Sequence, residues 1–240
     1  MASSEYVQLQ VEEGSEMRAF VARPDGTGPH AGLLVLQEAL GVNDQIRRVA
    51  ERWAAEGYVA VAPDLFHRSA PGFETSVMDM AVLMPLIRSV STEGLEADVR
   101  AAHAWLAAQP DVDSARIAAV GFCMGGRAAY VANSVLPLAA SIAYYGGYIA
   151  PALLDRAARL HGPQLYFWGG KDTNIPPEQH RAVVDATRAA GKRFVDVEFS
   201  EANHGFFNDQ IPGRHDPAAA AQSWALSVAF LAQTLGRGAV

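Results

Sequence analysis

Apolar residues along this chain fall into short continuous runs that alternate with longer segments of helical period. Runs too short for a helix predict buried strands at residues 31–36, 58–62, 116–120, 138–144, 164–168 and 194–199. A period near 3.6 residues predicts helices at residues 44–57, 95–109, 127–135, 177–191 and 217–235. The weakly alternating segments 6–11 and 17–22, with Gly14 between them, predict a short antiparallel hairpin.

Strands that alternate with helices predict an α/β fold with a mostly parallel central sheet and helices on both faces. In such sheets the ligand site lies beyond the carboxyl ends of the strands, so the loops that leave the strands are expected to carry the function. No internal repeat, low-complexity tract or linker-like change of composition interrupts the pattern. We therefore expect residues 1–240 to form a single domain.

Composition and charge narrow the class of protein. The 240 residues are 50% hydrophobic with a formal charge of −7, which suits a globular protein and argues against binding to nucleic acid or an anionic membrane. Residues 136–154 carry no charge, but Pro137, Pro151 and two glycines favour a buried strand and a loop over a membrane span. The first residues do not resemble a signal peptide, and we expect a soluble, cytoplasmic protein.

The one cysteine of the chain, Cys123, excludes an intrachain disulfide. It lies in Gly121-Phe122-Cys123-Met124-Gly125, between a predicted strand and a predicted helix. This is the nucleophile-elbow pattern with Cys in place of Ser, a turn so tight that the flanking positions have little room for a Cβ atom. Most lone cysteines are buried structural residues, but chance places two such glycines around a cysteine only about 0.5% of the time. We expect Cys123 to be a nucleophile.

A thiol nucleophile needs a base, and the base needs an acid that orients it. In this arrangement the acid and then the base follow the nucleophile along the chain, on loops after later strands. Asp172 follows the strand 164–168 in a Gly-Gly-Lys-Asp loop, and His204 follows the strand 194–199. Other histidines are weaker candidates, because they lie before a strand, in or beside a helix, or too far past the loop. These are His30, His103, His161, His180 and His215.

The negative oxygen of a tetrahedral intermediate needs backbone N–H donors. The N–H group of Met124, the residue after the nucleophile, is the expected first donor. The expected second donor is Ala39, in the loop Gln37-Glu38-Ala39-Leu40-Gly41 after the strand 31–36.

Together these motifs resemble the dienelactone hydrolase (carboxymethylenebutenolidase) family of the α/β-hydrolase superfamily. The resemblance covers nearly the whole chain, through Gln37-Glu38, Gly41-Val42-Asn43, Gly57-Tyr58, Pro63-Asp64-Leu65, the Cys123 motif, Tyr144-Tyr145-Gly146, Gly170-Lys171-Asp172 and the glycine-flanked His204. It implies a Cys123, His204 and Asp172 triad and a thioester acyl-enzyme. It also implies that Glu38 lies near the thiol and helps to deprotonate it, where position by itself allows a surface carboxylate equally well.

The sequence departs from this family where its members hold a substrate carboxylate with two arginines. One lies in the helix after the Pro-Asp-Leu loop and the other just after the catalytic histidine. Here the first region has no arginine before Arg88 and the second none before Arg214, so we expect an apolar or neutral acyl group. Arg68, Arg88 and Arg214 could still reach the site from another direction. The residues expected to contact the substrate are Tyr144, Tyr145, Phe206, Met84 and Arg88.

The expected function is hydrolysis of a small ester or lactone without a metal or organic cofactor, by a monomer or small homo-oligomer. The alternative enzyme is a general carboxylesterase on small apolar acyclic esters, and the alternative without chemistry is a ligand-binding descendant. A redox sensor is disfavoured because the chain has no second cysteine to resolve an oxidised Cys123. A metal site is disfavoured because no predicted helix carries His and carboxylate at ligand spacing.

Overall fold

The computed structural model describes residues 3–12 and 14–236. Within these residues the strands are β1 (Ser3–Gln10), β2 (Glu16–Arg23), β3 (His30–Leu36), β4 (Tyr58–Pro63), β5 (Val112–Phe122), β6 (Ala140–Tyr144), β7 (Gln164–Gly169) and β8 (Phe194–Phe199). The α-helices are α1 (Asp44–Ala55), α2 (Met80–Ser89), α3 (Thr92–Ala107), α4 (Met124–Val135), α5 (Pro177–Ala189) and α6 (Pro217–Thr234). A short 3₁₀ helix covers Leu154–Arg159.

The strands form one sheet with the order β1-β2-β4-β3-β5-β6-β7-β8. β1 pairs with β2, and β2 with β4, in antiparallel fashion, whereas β3 with β4, β6 with β7, and β7 with β8 are parallel pairs. Leu33 lies opposite Ala60 in the first parallel pair, and Tyr166 lies opposite Asp196 in the last. The predicted hairpin and the predicted mostly parallel α/β fold are therefore confirmed.

The chain divides into two compact units, Met1–Ala119 and Val120–Val240, and their boundary falls inside β5. In the first unit α1 and α3 pack against β3 and β4. Leu33, Val59 and Trp53 are at most 1% exposed there. The apolar runs of β3 and β4 are continuous because parallel strands covered on both faces need a hydrophobic side chain at nearly every position.

In the second unit α4 packs against β6, α6 against β6 and β7, and α5 against β8. Ile142 of β6 and Tyr166 and Phe167 of β7 are fully buried. β8 is the edge strand of this unit, and its side chains are half-buried or exposed throughout. The carboxyl ends of β5, β7 and β8 lead directly into the segments that carry Cys123, Asp172 and His204, respectively.

Three helices differ from the sequence expectation. α2 was not predicted; its sequence is mostly apolar and contains Pro85, a residue that usually breaks a helix. α3 begins at Thr92, three residues before its predicted start. α4 begins at Met124, three residues before its predicted start, with Gly125 and Gly126 inside its first turn. A Cβ atom on Gly126 would lie 2.6 Å from the carbonyl oxygen of Tyr144, so close packing, not a turn, requires this glycine.

The uncharged segment 136–154 forms β6 and the loop after it, as the prolines and glycines predicted. Within residues 3–12 and 14–236, no helix has the combined length and apolarity needed to cross a membrane.

Candidate active site

Cys123 occupies the turn between β5 and α4. Its φ of 55° and ψ of −114° place it in a left-handed region that residues other than glycine rarely adopt. A Cβ atom on Gly121 would lie 1.8 Å from the carbonyl oxygen of Gly125, so the turn closes only with glycine at that position. The Cys123 N–H donates to the Tyr144 carbonyl at 3.0 Å and ties the turn to the end of β6. The strained elbow leaves Cys123 half-buried.

The first turn of α4 begins directly after Cys123. N–H groups in the first turn of a helix have no intrahelical acceptor and carry partial positive charge. Met124 is the first residue of α4, and the Cys123 side chain makes no capping hydrogen bond to this turn. The residue after the predicted nucleophile therefore has the backbone position that an oxyanion donor needs.

Asp172 and His204 lie on the loops that follow β7 and β8. Cβ atoms on Gly169 and Gly170 would lie 2.5 Å from the Ala202 carbonyl oxygen and 2.6 Å from the Ser200 carbonyl oxygen, respectively. The two glycines of the Gly-Gly-Lys-Asp motif thus allow the two loop backbones to touch.

A hydrogen bond between the two loops reinforces this contact. The Lys171 N–H donates to the Ala202 carbonyl at 2.9 Å. Close backbone packing therefore brings the carboxylate of Asp172 to the imidazole of His204.

The three side chains form one chain of polar contacts. His204 Nδ1 donates to Asp172 Oδ2 at 2.7 Å, and His204 Nε2 lies 3.0 Å from Cys123 Sγ. Asp172 Oδ1 accepts the N–H groups of Asn174 at 2.7 Å and Ile175 at 3.1 Å, which hold the carboxylate in place. The Asp172 and His204 side chains are 2% and 9% exposed. The structure thus brings together the three residues that the sequence selected from separate loops.

The charge state of His204 follows from its neighbours. Burial lowers the pKa of the imidazole, but the Cys123 charge and the hydrogen bonds to Asp172 and Cys123 raise it more strongly, to about 10 from its ordinary 6.5. At neutral pH His204 is therefore a cation beside the sulfur. A protonated imidazole at this distance can stabilise negative charge on the sulfur.

The tyrosines predicted to contact substrate are both buried in an aromatic cluster. Tyr144 is 1% exposed and its hydroxyl lies 2.8 Å from the Ser227 hydroxyl of α6, which gives its side chain a packing role. The Tyr145 ring centroid is 5.1 Å from that of His204, on a backbone with φ of 37°. Phe206 is fully buried and packs edge-on against Tyr145 at 5.2 Å. Sequence reasoning missed the contact between Tyr145 and the imidazole.

Glu38 and Ala39 belong to the loop after β3, in the first unit. Glu38 is 4% exposed and Ala39 is 6% exposed, so the alternative of a surface carboxylate at Glu38 is wrong. Gln37 Oε1 accepts the Leu65 N–H at 3.1 Å and anchors the start of the loop. A carboxylate held this deeply in a strand-exit loop is costly to maintain and is uncommon outside functional or paired positions.

The remaining candidates have ordinary surroundings. Met84 is half-buried and Arg88 exposed, both on α2. His180 stacks on Trp168 and lies 3.0 Å from an Asp196 oxygen, as expected of a structural histidine.

Across the described part of the chain, no group of three or more His, Cys, Asp or Glu side chains could hold a metal ion.

An elbow cysteine followed by an aspartate and a histidine on later strand-exit loops, all on a mostly parallel sheet, fits the arrangement of the α/β-hydrolase class. Two solved structures are similar in fold to this chain. A "Putative Dienelactone Hydrolase" from Klebsiella pneumoniae is 30% identical with a TM-score of 0.89, covering 97% of this chain and 99% of that one. A "Dienelactone Hydrolase-like Promiscuous" phosphotriesterase, P91, from metagenomic libraries is 26% identical with a TM-score of 0.86, covering 97% and 98%.

Sequence comparison gives the family. Residues 17–235 match the model of the dienelactone hydrolase family. A Salmonella typhimurium protein named "Putative carboxymethylenebutenolidase" is 33% identical over 235 residues, which cover 94% of this chain and 86% of that protein. The chain belongs to the dienelactone hydrolase family. The expected family, fold and class of enzyme, a hydrolase of carboxylic esters or lactones, are thereby confirmed.

Proposed function

We propose that this chain hydrolyses its ester or lactone through a covalent thioester on Cys123, with His204 as acid and base and Asp172 as the group that orients His204. The observation that supports the proposal is the hydrogen-bonded chain from Asp172 through His204 to the sulfur, with distances of 2.7 Å and 3.0 Å. Nucleophile, base and orienting acid within hydrogen-bond reach of each other are the signature of covalent catalysis.

In the first half-reaction the Cys123 thiolate attacks the carbonyl carbon, and the carbonyl π electrons move onto oxygen. When the tetrahedral intermediate collapses, the bond from carbon to the alcohol oxygen breaks. That oxygen takes the Nε2 proton of the His204 imidazolium and leaves as an alcohol. With a lactone the alcohol stays attached to the acyl group, because both come from one ring.

In the second half-reaction neutral His204 accepts a proton from water as the water oxygen attacks the thioester carbon. Collapse of this second intermediate breaks the carbon–sulfur bond and releases the carboxylic acid. The thiolate and the imidazolium are restored together. Asp172 keeps the Nδ1 proton in place throughout, so that Nε2 always faces the reacting atoms.

The negative oxygen of both intermediates is assigned to the N–H groups of Met124 and Ala39. Met124 is included because it opens α4 beside the nucleophile. Ala39 and Glu38 are included because they lie on the loop that supplies the second donor in this class. Glu38 is buried on this loop, and the part in deprotonating the thiol that the resemblance implies for it stays a prediction.

The substrate is either a lactone or an acyclic ester, and a panel separates the two. A higher kcat/KM for an enol lactone than for a 4-nitrophenyl ester of matched acyl length would assign a lactonase, and the reverse order a general carboxylesterase. A phosphotriester belongs in the same panel, because the P91 relative is named for that reaction.

The deciding experiment compares Cys123→Ala with the wild type on this panel. We expect kcat/KM to fall about 10⁴-fold or more while the circular dichroism spectrum is retained, since only one sulfur is removed. Ser134→Ala is the matched control: it removes one buried polar atom from the same helix, outside the site. Wild-type turnover in Cys123→Ala would disprove the proposal, as would equal losses in the two variants.

A further inference from the structure

The Gln37 side chain is completely buried, and both ends of its carboxamide are bonded to the backbone. Gln37 Oε1 accepts the Leu65 N–H at 3.1 Å, and Gln37 Nε2 donates to the Glu38 carbonyl oxygen at 3.4 Å. The first partner can only donate and the second can only accept. An amide satisfies both at once, whereas an ionised carboxylate or a hydrophobic side chain does not.

The Glu38 carbonyl receives a second hydrogen bond. The Gly41 N–H donates to it at 3.3 Å and closes a β-turn over residues 38–41. A carbonyl oxygen has two lone pairs, so it can accept both bonds. Gly41 has φ of 80°, and a Cβ atom on it would lie 2.0 Å from the Phe73 carbonyl oxygen, so the turn requires glycine there.

A neighbouring backbone segment holds the far side of this turn. The Thr75 N–H donates to the Leu40 carbonyl at 3.1 Å, and Gly41 forms an isolated β-bridge with Glu74. The turn is therefore fixed at its far end by backbone pairing and at its near end by the carboxamide of Gln37.

The Glu38 carbonyl and the Ala39 N–H belong to one peptide unit. This unit is trans, so its C=O and N–H bonds lie in one plane and point in opposite directions. Whatever fixes the direction of the Glu38 carbonyl therefore also fixes the direction of the Ala39 N–H. That N–H is the second oxyanion donor of the proposed function.

We propose that Gln37 is a positioning residue, whose carboxamide holds the Glu38–Ala39 peptide so that the Ala39 N–H points at the negative oxygen of the tetrahedral intermediates. The inference rests on the proposed function, because it takes Ala39 as the second donor. Donors that are already oriented stabilise a developing charge more strongly, because they need not reorganise as the charge forms. Gln37 thus acts on the reaction through a backbone group.

Gln37→Met tests this, since it keeps the length of the side chain and removes both hydrogen bonds. Complete loss of an oxyanion donor lowers kcat about 10²- to 10³-fold, and a donor that remains but is poorly oriented should cost less. We therefore expect kcat on a 4-nitrophenyl ester to fall roughly ten- to 100-fold. Both half-reactions pass through a negative oxygen and should slow together, so KM should stay within about twofold of wild type.

Alkylation by iodoacetamide separates the oxyanion donor from the nucleophile. The Cys123 sulfur displaces iodide from a tetrahedral carbon, so a sulfur–carbon bond forms as the carbon–iodine bond breaks. No negative oxygen develops in this step, and Gln37→Met should react at the wild-type rate. The same reagent counts the reactive sites, which corrects kcat for any misfolded protein.

Gln164→Met is the matched control. Gln164 is also completely buried, with Nε2 donating to the carbonyl of the next residue, Leu165, at 3.4 Å and Oε1 accepting from Asn133 Nδ2 at 3.1 Å. It begins β7, at the end of that strand opposite the Asp172 loop. This variant should lose a similar amount of stability and keep kcat within about twofold of wild type.

Gln37→Glu covers the case in which Gln37→Met does not fold. It keeps the acceptor for the Leu65 N–H and loses the donor toward the Glu38 carbonyl. Its kcat, divided by the wild-type kcat at the same pH, should be lowest in mildly alkaline solution. The ratio should rise as the pH falls, because a protonated carboxyl can again donate to that carbonyl. A ratio that stays the same at every pH would overturn the inference.

Wild-type kcat in Gln37→Met, or an equal loss in Gln164→Met, would also overturn it. A loss that appears mainly in KM, or equally in alkylation, would do the same, because Gln37 would then support substrate binding or the nucleophile. These outcomes leave the proposed function standing as long as Cys123→Ala is inactive. Full turnover in Cys123→Ala would instead remove the proposed function and the inference together.

Discussion

His204 Nε2 lies 3.0 Å from the Cys123 sulfur. The side chains of His204 and Asp172 are each less than a tenth exposed. This contact couples the titration of the ring to the charge of the sulfur. Since the pKa of His204 is raised above its ordinary 6.5, the contribution of the pair to stability is complete below about pH 6.5. It is lost as the pH rises to about 10.

The first prediction concerns that titration. In wild type the His204 ring should lose its proton near pH 10, and in Cys123→Ala at a markedly lower pH, because the charge and the hydrogen bond of the sulfur both disappear while burial remains. Nitrogen-15 spectra of the imidazoles measure both midpoints. His103, whose pKa is lowered by burial, is the internal control and should titrate alike in both proteins. Equal His204 midpoints would rule out the thiolate–imidazolium pair.

The second prediction separates the base from its orienting acid. His204→Ala should lower kcat about 10⁴-fold or more, and Asp172→Asn about 10²- to 10⁴-fold, because the amide no longer favours the tautomer with the proton on Nδ1. The double variant should be no slower than His204→Ala, since members of such a unit do not act additively.

Asp216→Asn is the control for Asp172→Asn. Each aspartate accepts two backbone N–H groups through Oδ1, Asp172 from its own loop and Asp216 at the start of α6. Asp216→Asn should therefore reproduce the structural cost and keep full turnover. Equal losses of kcat in the two variants would mean that Asp172 acts only by stabilising its loop and not by orienting His204.

The third prediction tests the close packing of the two loops. A Cβ atom on Gly170 would lie 2.6 Å from the Ser200 carbonyl oxygen, so Gly170→Ala must displace backbone and should cost about 1–3 kcal/mol of stability. Because Asp172 lies two residues further on, kcat should fall as well. Gly147→Ala is the control for stability, since its Cβ atom would meet only Ile175 at 3.9 Å. A Gly170→Ala variant with unchanged melting temperature and kcat would refute the packing argument.

The fourth prediction distinguishes packing from substrate contact at Tyr144. Tyr144→Phe removes the hydroxyl that lies 2.8 Å from Ser227 and leaves that serine buried without its partner. The free energy of unfolding, measured in urea, should fall by about 1–3 kcal/mol, with KM unchanged. A raised KM at unchanged stability would instead indicate that Tyr144 contacts the substrate, as the sequence predicted.

Sequence by itself determined the order and type of most elements and the positions of Cys123, Asp172 and His204. These signals are local: a continuous apolar run makes a parallel strand, glycines permit an elbow, and strand-exit loops of one sheet meet at one edge. Chain order then assigned the predicted roles of nucleophile, acid and base without any knowledge of distance. The late start predicted for α4 came from its two glycines, of which Gly126 serves packing with a distant segment.

Only the tertiary structure decided what depends on contacts between distant residues. The hydrophobic pattern of the sequence does not predict three such features. They are the burial of Glu38, the hydrogen bond between the Tyr144 and Ser227 hydroxyls, and the approach of the Tyr145 ring to His204. A pattern of hydrophobic positions specifies which face is buried, whereas the partner of each buried group is chosen only when the chain is packed.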